Sequence, residues 1–235
     1  STFGKIFRQI EDFKQLRSLH LNLDLESSSS SFSIGKLKNN IDEVFGVLPM
    51  NMPTLKAVSL DLFSGEFMTV NLYEIFKWAS THENLEYLHL TMPGIGYQGF
   101  ESVELQENTF KNLRILHVMS TDRNYFQGQG FEDFLKFISQ LKELRTLQFN
   151  CWGSNCTAID IQNILKHVKE LQKLDTLTLS ADAQNIDFEE FLLFKELLRD
   201  IQSLRYLFLF IGKRGYDVIP ELIQKFEDEF RDEKN

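Results

Sequence analysis

A six-residue pattern recurs seven times in this sequence, and it constrains the possible folds more than any other feature. The pattern is L-x-x-φ-x-φ, in which φ is an apolar residue. Its first leucines are Leu16, Leu55, Leu85, Leu113, Leu144, Leu174 and Leu204. They are separated by 39, 30, 28, 31, 30 and 30 residues. A period of this length is typical of repeat architectures, in which every unit contributes the same elements.

A helical pattern precedes most copies of this motif. Apolar residues recur at positions i, i+3, i+4, i+7 and i+10, which lie on one face of a helix. The clearest stripe consists of Ile161, Ile164, Leu165, Val168 and Leu171. Similar stripes run over 3–13, 72–79, 131–141 and 191–201, with a shifted one at 41–48, a weak one at 100–110 and a last one at 219–226. We therefore predict that each unit is a helix, a tight turn and a short strand.

This helix–turn–strand unit resembles the leucine-rich-repeat family, specifically its helix-containing, ribonuclease-inhibitor-like class. The resemblance covers nearly the whole chain and implies a single leucine-rich-repeat domain over residues 1–235. It implies an α/β solenoid shaped as a horseshoe arc, with about seven parallel strands on the concave face and about eight helical segments on the convex face. The arc has a physical reason, because neighbouring strands lie about 4.8 Å apart whereas packed helices need roughly 8–10 Å.

The sequence departs from the family pattern in two places. The family usually has Asn or Cys three residues after the last leucine of the strand. Here that position holds Asp24, Phe63, Pro93, Thr121, Trp152, Asp182 and Gly212, so we expect irregular turns after the strands. The first repeat is also the longest, and it contains a Ser-rich stretch at 26–33. We interpret that stretch as a solvated loop insertion, with a phosphorylated loop as the alternative.

The segment GIGYQG at 94–99 has the glycine spacing of a dinucleotide-binding turn. It follows a predicted strand in which Tyr87, His89 and Thr91 alternate with leucines. A doubly wound sheet is covered on both faces, so its strands should be continuous apolar runs. The alternation instead predicts a sheet with one open face. We therefore interpret the glycines as a connection and expect no cofactor.

Composition argues against several classes of partner. The net charge of −9 disfavours binding to a nucleic acid backbone. No apolar run approaches the length of a membrane-spanning helix, so we expect no membrane partner. The two cysteines, Cys151 and Cys156, lack the second pair that a zinc site needs. We expect reduced thiols in a cytoplasmic protein, with a local disulfide as the alternative, and a chain that is a monomer or a fragment of a larger one.

The motif also predicts which side chains share the open face. The residue after each first leucine forms a mostly basic row: Arg17, Lys56, Glu86, Arg114, Arg145, Asp175 and Arg205. A central row contains His20, Ser59, His89, His117, Gln148, Thr178 and Phe208. A third row contains Asn22, Asp61, Thr91, Met119, Asn150, Ser180 and Phe210. Equivalent positions of adjacent strands line up, so we expect these rows to cross the sheet side by side.

No catalytic constellation stands out, and we expect no catalytic residue. The candidates for partner binding are Tyr87, His89, Arg114, His117, Arg145, Gln148, Tyr206 and Phe208. Asp61, His89 and His117 could together bind a metal, although we predict that no metal is bound. The basic row could be merely solvated, and a terminal segment could cover the outward aromatics of the last strand.

The predicted function is non-enzymatic binding of a protein partner. The binding surface would be the concave face and an adjoining rim of loops with Tyr97, Tyr125, Phe126 and Trp152. An extended surface of mixed polar and aromatic groups suits a macromolecule better than a small substrate. The alternative is a regulatory subunit or domain of an enzyme system, such as a GTPase-activating domain or the substrate receptor of a ubiquitin ligase.

Overall fold

The computed structural model describes residues 15–24, 48, 51–63, 70–92, 95–96, 100, 109–120, 129–183 and 188–211. This part of the chain is an α/β protein built on a seven-stranded parallel sheet. The strands of that sheet are β1 (Ser18–Asp24), β2 (Ala57–Phe63), β4 (Tyr87–Met92), β6 (Ile115–Ser120), β7 (Thr146–Cys156), β8 (Thr176–Ala183) and β9 (Tyr206–Ile211). Two short strands, β3 (Val70–Asn71) and β5 (Ile95–Gly96), form a separate pair.

The seven strands lie in the sheet in the order in which they occur along the chain. Each begins two residues after the first leucine of its motif, so the prediction of seven parallel strands near those leucines is confirmed. The register repeats from unit to unit: Leu88 pairs with Leu116, Leu116 with Leu147, and Leu147 with Leu177. Leucines of one repeat position therefore lie in a continuous line across the sheet.

Four α-helices are present in the described ranges: α1 (Leu72–Ala79), α2 (Gln129–Ser139), α3 (Ala158–Val168) and α4 (Phe188–Arg199). Each lies on a predicted apolar stripe. The prediction of about eight helical segments is not met by the described residues, which contain these four. The other predicted segments, at 3–13, 41–48, 100–110 and 219–226, fall wholly or largely outside them, as does the Ser-rich stretch at 26–33.

A tight turn joins each helix region to its strand. The N–H of Leu144 donates to the carbonyl of Leu141, three residues earlier, over 3.0 Å. Five other first leucines make the same bond, to the carbonyls of Met52, His82, Phe110, Leu171 and Ile201. All six side chains at this turn position are buried. The turn therefore closes each unit by placing one more side chain in the core.

Backbone hydrogen bonds continue the sheet through the basic row. The carbonyl of Arg114 accepts from two N–H groups of the next unit, those of Arg145 at 2.8 Å and Thr146 at 2.9 Å. The same doubled bond joins every successive pair of units from Arg17 to Arg205. Because these bonds precede each strand, they set its register against the preceding unit before the strand begins.

The core lies between the helices and one face of the sheet. Leu116, Leu147 and Leu177 are fully buried, as predicted, and they belong to one cluster with the inner faces of the helices. Phenylalanines fill the widest part of this layer. Phe76 meets Phe134 and Phe137 edge to face, with ring centroids 5.9 and 5.0 Å apart. The bulky rings account for the high phenylalanine content of the chain.

The short pair of strands was not predicted. Residues 95–96 pair in parallel with residues 70–71, directly before α1. The sequence predicts the glycine-containing segment as a connection, and the structure adds a two-residue strand within it at 95–96. The remaining residues of 94–99 lie outside the described residues. A pair of two-residue strands has no periodicity that could reveal it in a sequence.

The capping box of α3 provides a first testable prediction. Asp160 N donates to Thr157 Oγ1 over 3.3 Å, and Thr157 N donates to Asp160 Oδ2 over 2.8 Å. We expect Thr157→Ala to lower the free energy of unfolding by about 1 kcal/mol, because an amide of the first turn and the buried Asp160 each lose a partner. Urea unfolding followed by circular dichroism measures the loss. Thr157→Ser keeps the hydroxyl and should be close to wild type; an equal loss in both variants would contradict the capping role.

Candidate functional site

The second face of the main sheet carries no helix among the described residues. Its central row is exposed or partly exposed, whereas the alternating residues on the inner side are largely buried. The strand register places the predicted central row and third row side by side across the sheet. It adds an outward row at the first strand position: Ser18, Ala57, Tyr87, Ile115, Thr146, Thr176 and Tyr206. We call this surface the open face.

A cluster of polar and aromatic side chains occupies the β2–β4–β6 part of the open face. Asp61 lies between two histidines, with Oδ1 3.4 Å from His89 Nε2 and Oδ2 3.5 Å from His20 Nε2. His89 Nε2 also lies 3.0 Å from Thr91 Oγ1, and its Nδ1 lies 3.5 Å from His117 Nδ1. Both ring nitrogens of His89 therefore have neighbours, which orient this side chain on the sheet.

Tyr87 completes this cluster. Its ring is nearly parallel to that of His89 at a centroid distance of 6.4 Å, and edge to face with His117 at 5.5 Å. Burial raises the pKa of the Tyr87 hydroxyl, and the negative charge of Asp61 raises it further. Burial likewise lowers the pKa of His117, and a charge on His89 lowers it further. Tyr87 and His117 are thus held neutral near pH 7, which suits polar contacts with a partner at little cost in desolvation.

The metal alternative is not supported by this geometry. Asp61 approaches Nε2 of His89, whereas His117 approaches Nδ1 on the opposite side of the same ring. The three groups therefore do not point towards one centre. Within the described ranges, no group of three or more His, Cys, Asp or Glu side chains is arranged to hold a metal ion.

The basic row contains two ion pairs and two arginines between them. Lys56 Nζ lies 2.6 Å from Glu86 Oε1, and Arg205 Nε lies 3.3 Å from Asp175 Oδ1. Arg114 and Arg145 are exposed neighbours with no ion pair or side-chain hydrogen bond among the described residues. Each carboxylate of the row is thus paired with a cation, whereas the two central arginines have no carboxylate partner among the described residues.

The positive charge of these arginines contributes to lowering the pKa of two nearby carboxylates. The hydrogen bond from Lys56 lowers the pKa of Glu86, and the charges of Lys56 and Arg114 lower it further. The hydrogen bond from Lys173 lowers the pKa of Glu143, with further lowering by the charges of Lys173 and of both arginines. Glu86 and Glu143 are therefore ionised but already bound to lysines. Two lysines and two arginines carry four positive charges beside these two carboxylates, so the charge of this group of six side chains is positive.

The strand β9 presents an aromatic strip on the same face. Tyr206, Phe208 and Phe210 have exposed fractions of 56%, 47% and 52%. The prediction that they point outward is confirmed. β9 is the last strand of the described sheet. Exposed aromatic side chains of this size are typical of surfaces that contact a partner.

The eight predicted binding residues form two groups on the open face. His117 pairs in register with Gln148, so Tyr87, His89, Arg114, His117, Arg145 and Gln148 lie on the consecutive strands β4, β6 and β7 or just before them. Tyr206 and Phe208 lie on β9, separated from β7 by β8. The side chains of the predicted loop rim, Tyr97, Tyr125, Phe126 and Trp152, lie outside the part of the chain whose side chains are described.

The third row differs from its prediction. We expected it to lie open, but Thr91, Asn150 and Ser180 are buried. Asn150 Oδ1 and Ser180 Oγ have no hydrogen-bond partner in the described part of the structure. The predicted rows place Asp61 near His89, as observed, but the contact of Asp61 with His20 was missed; the alignment of the central and third rows was the available signal. The exposed part of the open face is therefore concentrated in the central row and on β9, with the exposed arginines of the basic row at the edge where the strands begin.

Two comparisons with known proteins found no match for this chain. No protein-family model matches it, and no curated protein matches it. None of the helices in the described ranges has the length and apolar character that crossing a bilayer requires. Any function assigned to the chain therefore rests on its open face and its charges.

Proposed function

We propose that this chain is a leucine-rich-repeat solenoid whose open face is the concave side of a horseshoe arc and binds a protein partner without catalysing a reaction. The support for the solenoid is its repetition. Seven units contribute strands in chain order, with the same turn before each of six strands and the same doubled backbone bond between units. Helices on one face only would splay apart relative to the strands, because they need roughly twice the spacing.

The observation that carries the binding role is a parallel sheet with one face on which the described residues place no helix. Parallel sheets are usually covered on both faces. Here seven strands, about 29 Å across at 4.8 Å per step, present polar and aromatic side chains instead. A specific protein interface needs about 800 Å² from each partner, so a partner would have to cover most of this face.

The proposal includes a cytoplasmic setting. The chain has two cysteines, Cys151 and Cys156, and both lie within β7. This number is too small for the disulfide framework of a secreted repeat domain. We propose that both are free thiols in a reducing compartment.

The test blocks the centre of the open face and leaves its arginines unchanged. The double variant Gln148→Trp with Thr178→Trp adds two bulky, uncharged side chains to the central row. The control is Gln129→Trp with Gln162→Trp, on α2 and α3, which adds the same bulk on the helical side. Each variant is used to capture partners from cells of the source organism, with identification by mass spectrometry.

We expect the wild type and the control to retain the same partner, and the open-face variant to retain at least tenfold less of it. A large side chain at an interface centre cannot be accommodated where packing is close. Loss of the partner in the helical-side variant alone would contradict the proposal, because binding would then lie on the convex side.

A further inference from the structure

The distribution of charge along the basic row is uneven in a way that indicates the chemistry of a ligand. The chain as a whole is acidic, with a net charge of −9. The two acidic residues of the basic row, Glu86 and Asp175, are each paired with a neighbouring cation. Arg114 and Arg145, in the middle of the row, have no such partner among the described residues. Within the described ranges Arg17, before β1, has none either, but Arg114 and Arg145 are neighbours, so two adjacent positive charges without a carboxylate partner lie before β6 and β7.

The backbone holds the two arginines next to each other. The carbonyl of Arg114 accepts from Arg145 N at 2.8 Å and Thr146 N at 2.9 Å, so the two arginines occupy equivalent positions directly before the adjacent strands β6 and β7. Adjacent strands lie about 4.8 Å apart. Like charges on neighbouring backbone positions repel each other, an anion between them relieves that repulsion, and each guanidinium can hold a carboxylate through two parallel N–H···O bonds.

We propose that the partner contributes an extended acidic segment, with two carboxylates at Arg114 and Arg145 and an apolar side chain against the aromatic strip of β9. This inference rests on the proposed function and specifies the partner of the same face. The segment crosses the strands and follows the sheet from β6 towards β9. His117 and Gln148, which follow the arginines on the same strands, contact its backbone or polar side chains.

The sheet geometry gives the spacing between the two anchors. β9 lies two strands from β7 and three from β6, which corresponds to about 10 and 14 Å. An extended peptide advances about 3.4 Å per residue. The acidic residues and the bulky apolar residue should therefore be about three or four positions apart in the partner.

The acidity of the whole chain favours a peptide over a nucleic acid. A polyanion such as RNA or DNA would experience the net charge of −9 along its length, which opposes its attraction to the basic row. A short segment with two carboxylates meets the local positive charge alone. Nearby carboxylates that could repel it, Glu86 and Glu143, are each bound to a lysine.

The experiment selects ligands from a library of short random peptides displayed on phage, with the full chain as the target. We expect the selected peptides to share two Asp or Glu residues separated by one residue, because alternate side chains of an extended peptide share one face, with Leu, Phe, Tyr or Trp three or four positions away. Fluorescence anisotropy then measures the affinity of one synthetic peptide. Replacing its acidic pair with glutamine should weaken binding by roughly 10- to 100-fold, the usual effect of losing charge-assisted hydrogen bonds.

Variants of the protein test the assigned residues. Arg114→Gln with Arg145→Gln should weaken the same peptide by a similar factor, and Arg114→Glu with Arg145→Glu should recover binding of a peptide that carries lysines in place of the acidic pair. The control is Lys136→Glu with Lys166→Glu, two exposed lysines of α2 and α3, which should change the affinity less than twofold. Thermal unfolding of every variant verifies that it is folded.

Three results would overturn the proposal: selected peptides without acidic residues, undiminished binding to the Arg114→Gln and Arg145→Gln variant, or an equal loss in the Lys136 and Lys166 control. These results are distinct from failure of the proposed function. If the peptides lose binding to the Gln148→Trp and Thr178→Trp variant but not to the arginine variants, the open face still binds and only the acidic chemistry is wrong. If no variant of the open face weakens binding, both proposals fail.

Discussion

Replacing Leu147 with alanine should lower the free energy of unfolding by about 2–5 kcal/mol. Leu147 has an exposed fraction of 0% and lies in β7, near the middle of the sheet. Its register partners Leu116 and Leu177 are also fully buried. Truncation would remove apolar contacts and leave a cavity that both neighbouring units line. Because each unit of a repeat stack is stabilised by its neighbours, one cavity weakens two interfaces.

Chemical denaturation in urea measures this loss, with His117→Ala as the matched control. His117 lies on β6, in register with Gln148 of β7. Its side chain is on the face of the sheet opposite Leu147 and is partly exposed. We expect its replacement to cost far less, because no core cavity forms. Equal losses in the two variants would show that the faces of the sheet have been assigned the wrong way round.

Acidification should destabilise the protein through His82. This side chain has an exposed fraction of 2%, and its Nδ1 accepts a hydrogen bond from Met52 N over 3.0 Å. Its ring is edge to face with Trp78 at a centroid distance of 4.7 Å. A second proton on Nδ1 would break the bond to Met52 and place a charge in the core. Burial accordingly lowers the pKa of His82 from 6.5 to about 4.

The sign of the effect follows from the order of protonation. The unfolded chain binds the proton near pH 6.5, whereas the folded chain binds it only near pH 4. Stability from the neutral ring of His82 is therefore complete above pH 6.5 and is lost progressively as the pH falls to 4. The shift in pKa corresponds to about 3 kcal/mol over that range.

The variant His82→Leu isolates this contribution. Leucine occupies the equivalent turn position at Leu141 and Leu171, so it fits the repeat. We expect the free energy of unfolding to fall more steeply in wild type than in the variant between pH 6.5 and 4, by about 3 kcal/mol in total. Urea unfolding at a series of pH values measures both slopes. Identical slopes would mean that His82 does not titrate in this range.

The periodic parts of the fold were predictable from the sequence, because a parallel sheet in register repeats one geometry. The spacing of the leucines placed all seven strands, and the helical stripes placed α1 to α4. The outward direction of His89, His117 and Phe208 followed from alternation alone. These features depend on which face a residue occupies, and that information is present in the local pattern.

Features that depend on individual side-chain contacts were not predictable in the same way. Asp61 meets His20 and His89 because it lies between their strands, and charge patterning along the chain does not show this. The burial of His82 could have been predicted from the sequence, because the equivalent positions of other units are apolar. Glu86 pairs with Lys56 and leaves Arg114 without a carboxylate partner among the described residues. The sequence does not show which of the two cations Glu86 binds, whereas the distances between the charged atoms do.

The chain-order sheet has a consequence for how such a protein can change. Each strand pairs only with those of the adjacent units, so a whole unit can be gained or lost between two others without altering any remaining pairing. Removal or duplication of the unit that contains α3 and β8 would move β9 relative to β7 by one strand, about 4.8 Å. The separation between the arginines and the aromatic strip therefore changes only in whole-strand steps. Related proteins could diverge in the motif length that they recognise while keeping both anchors intact.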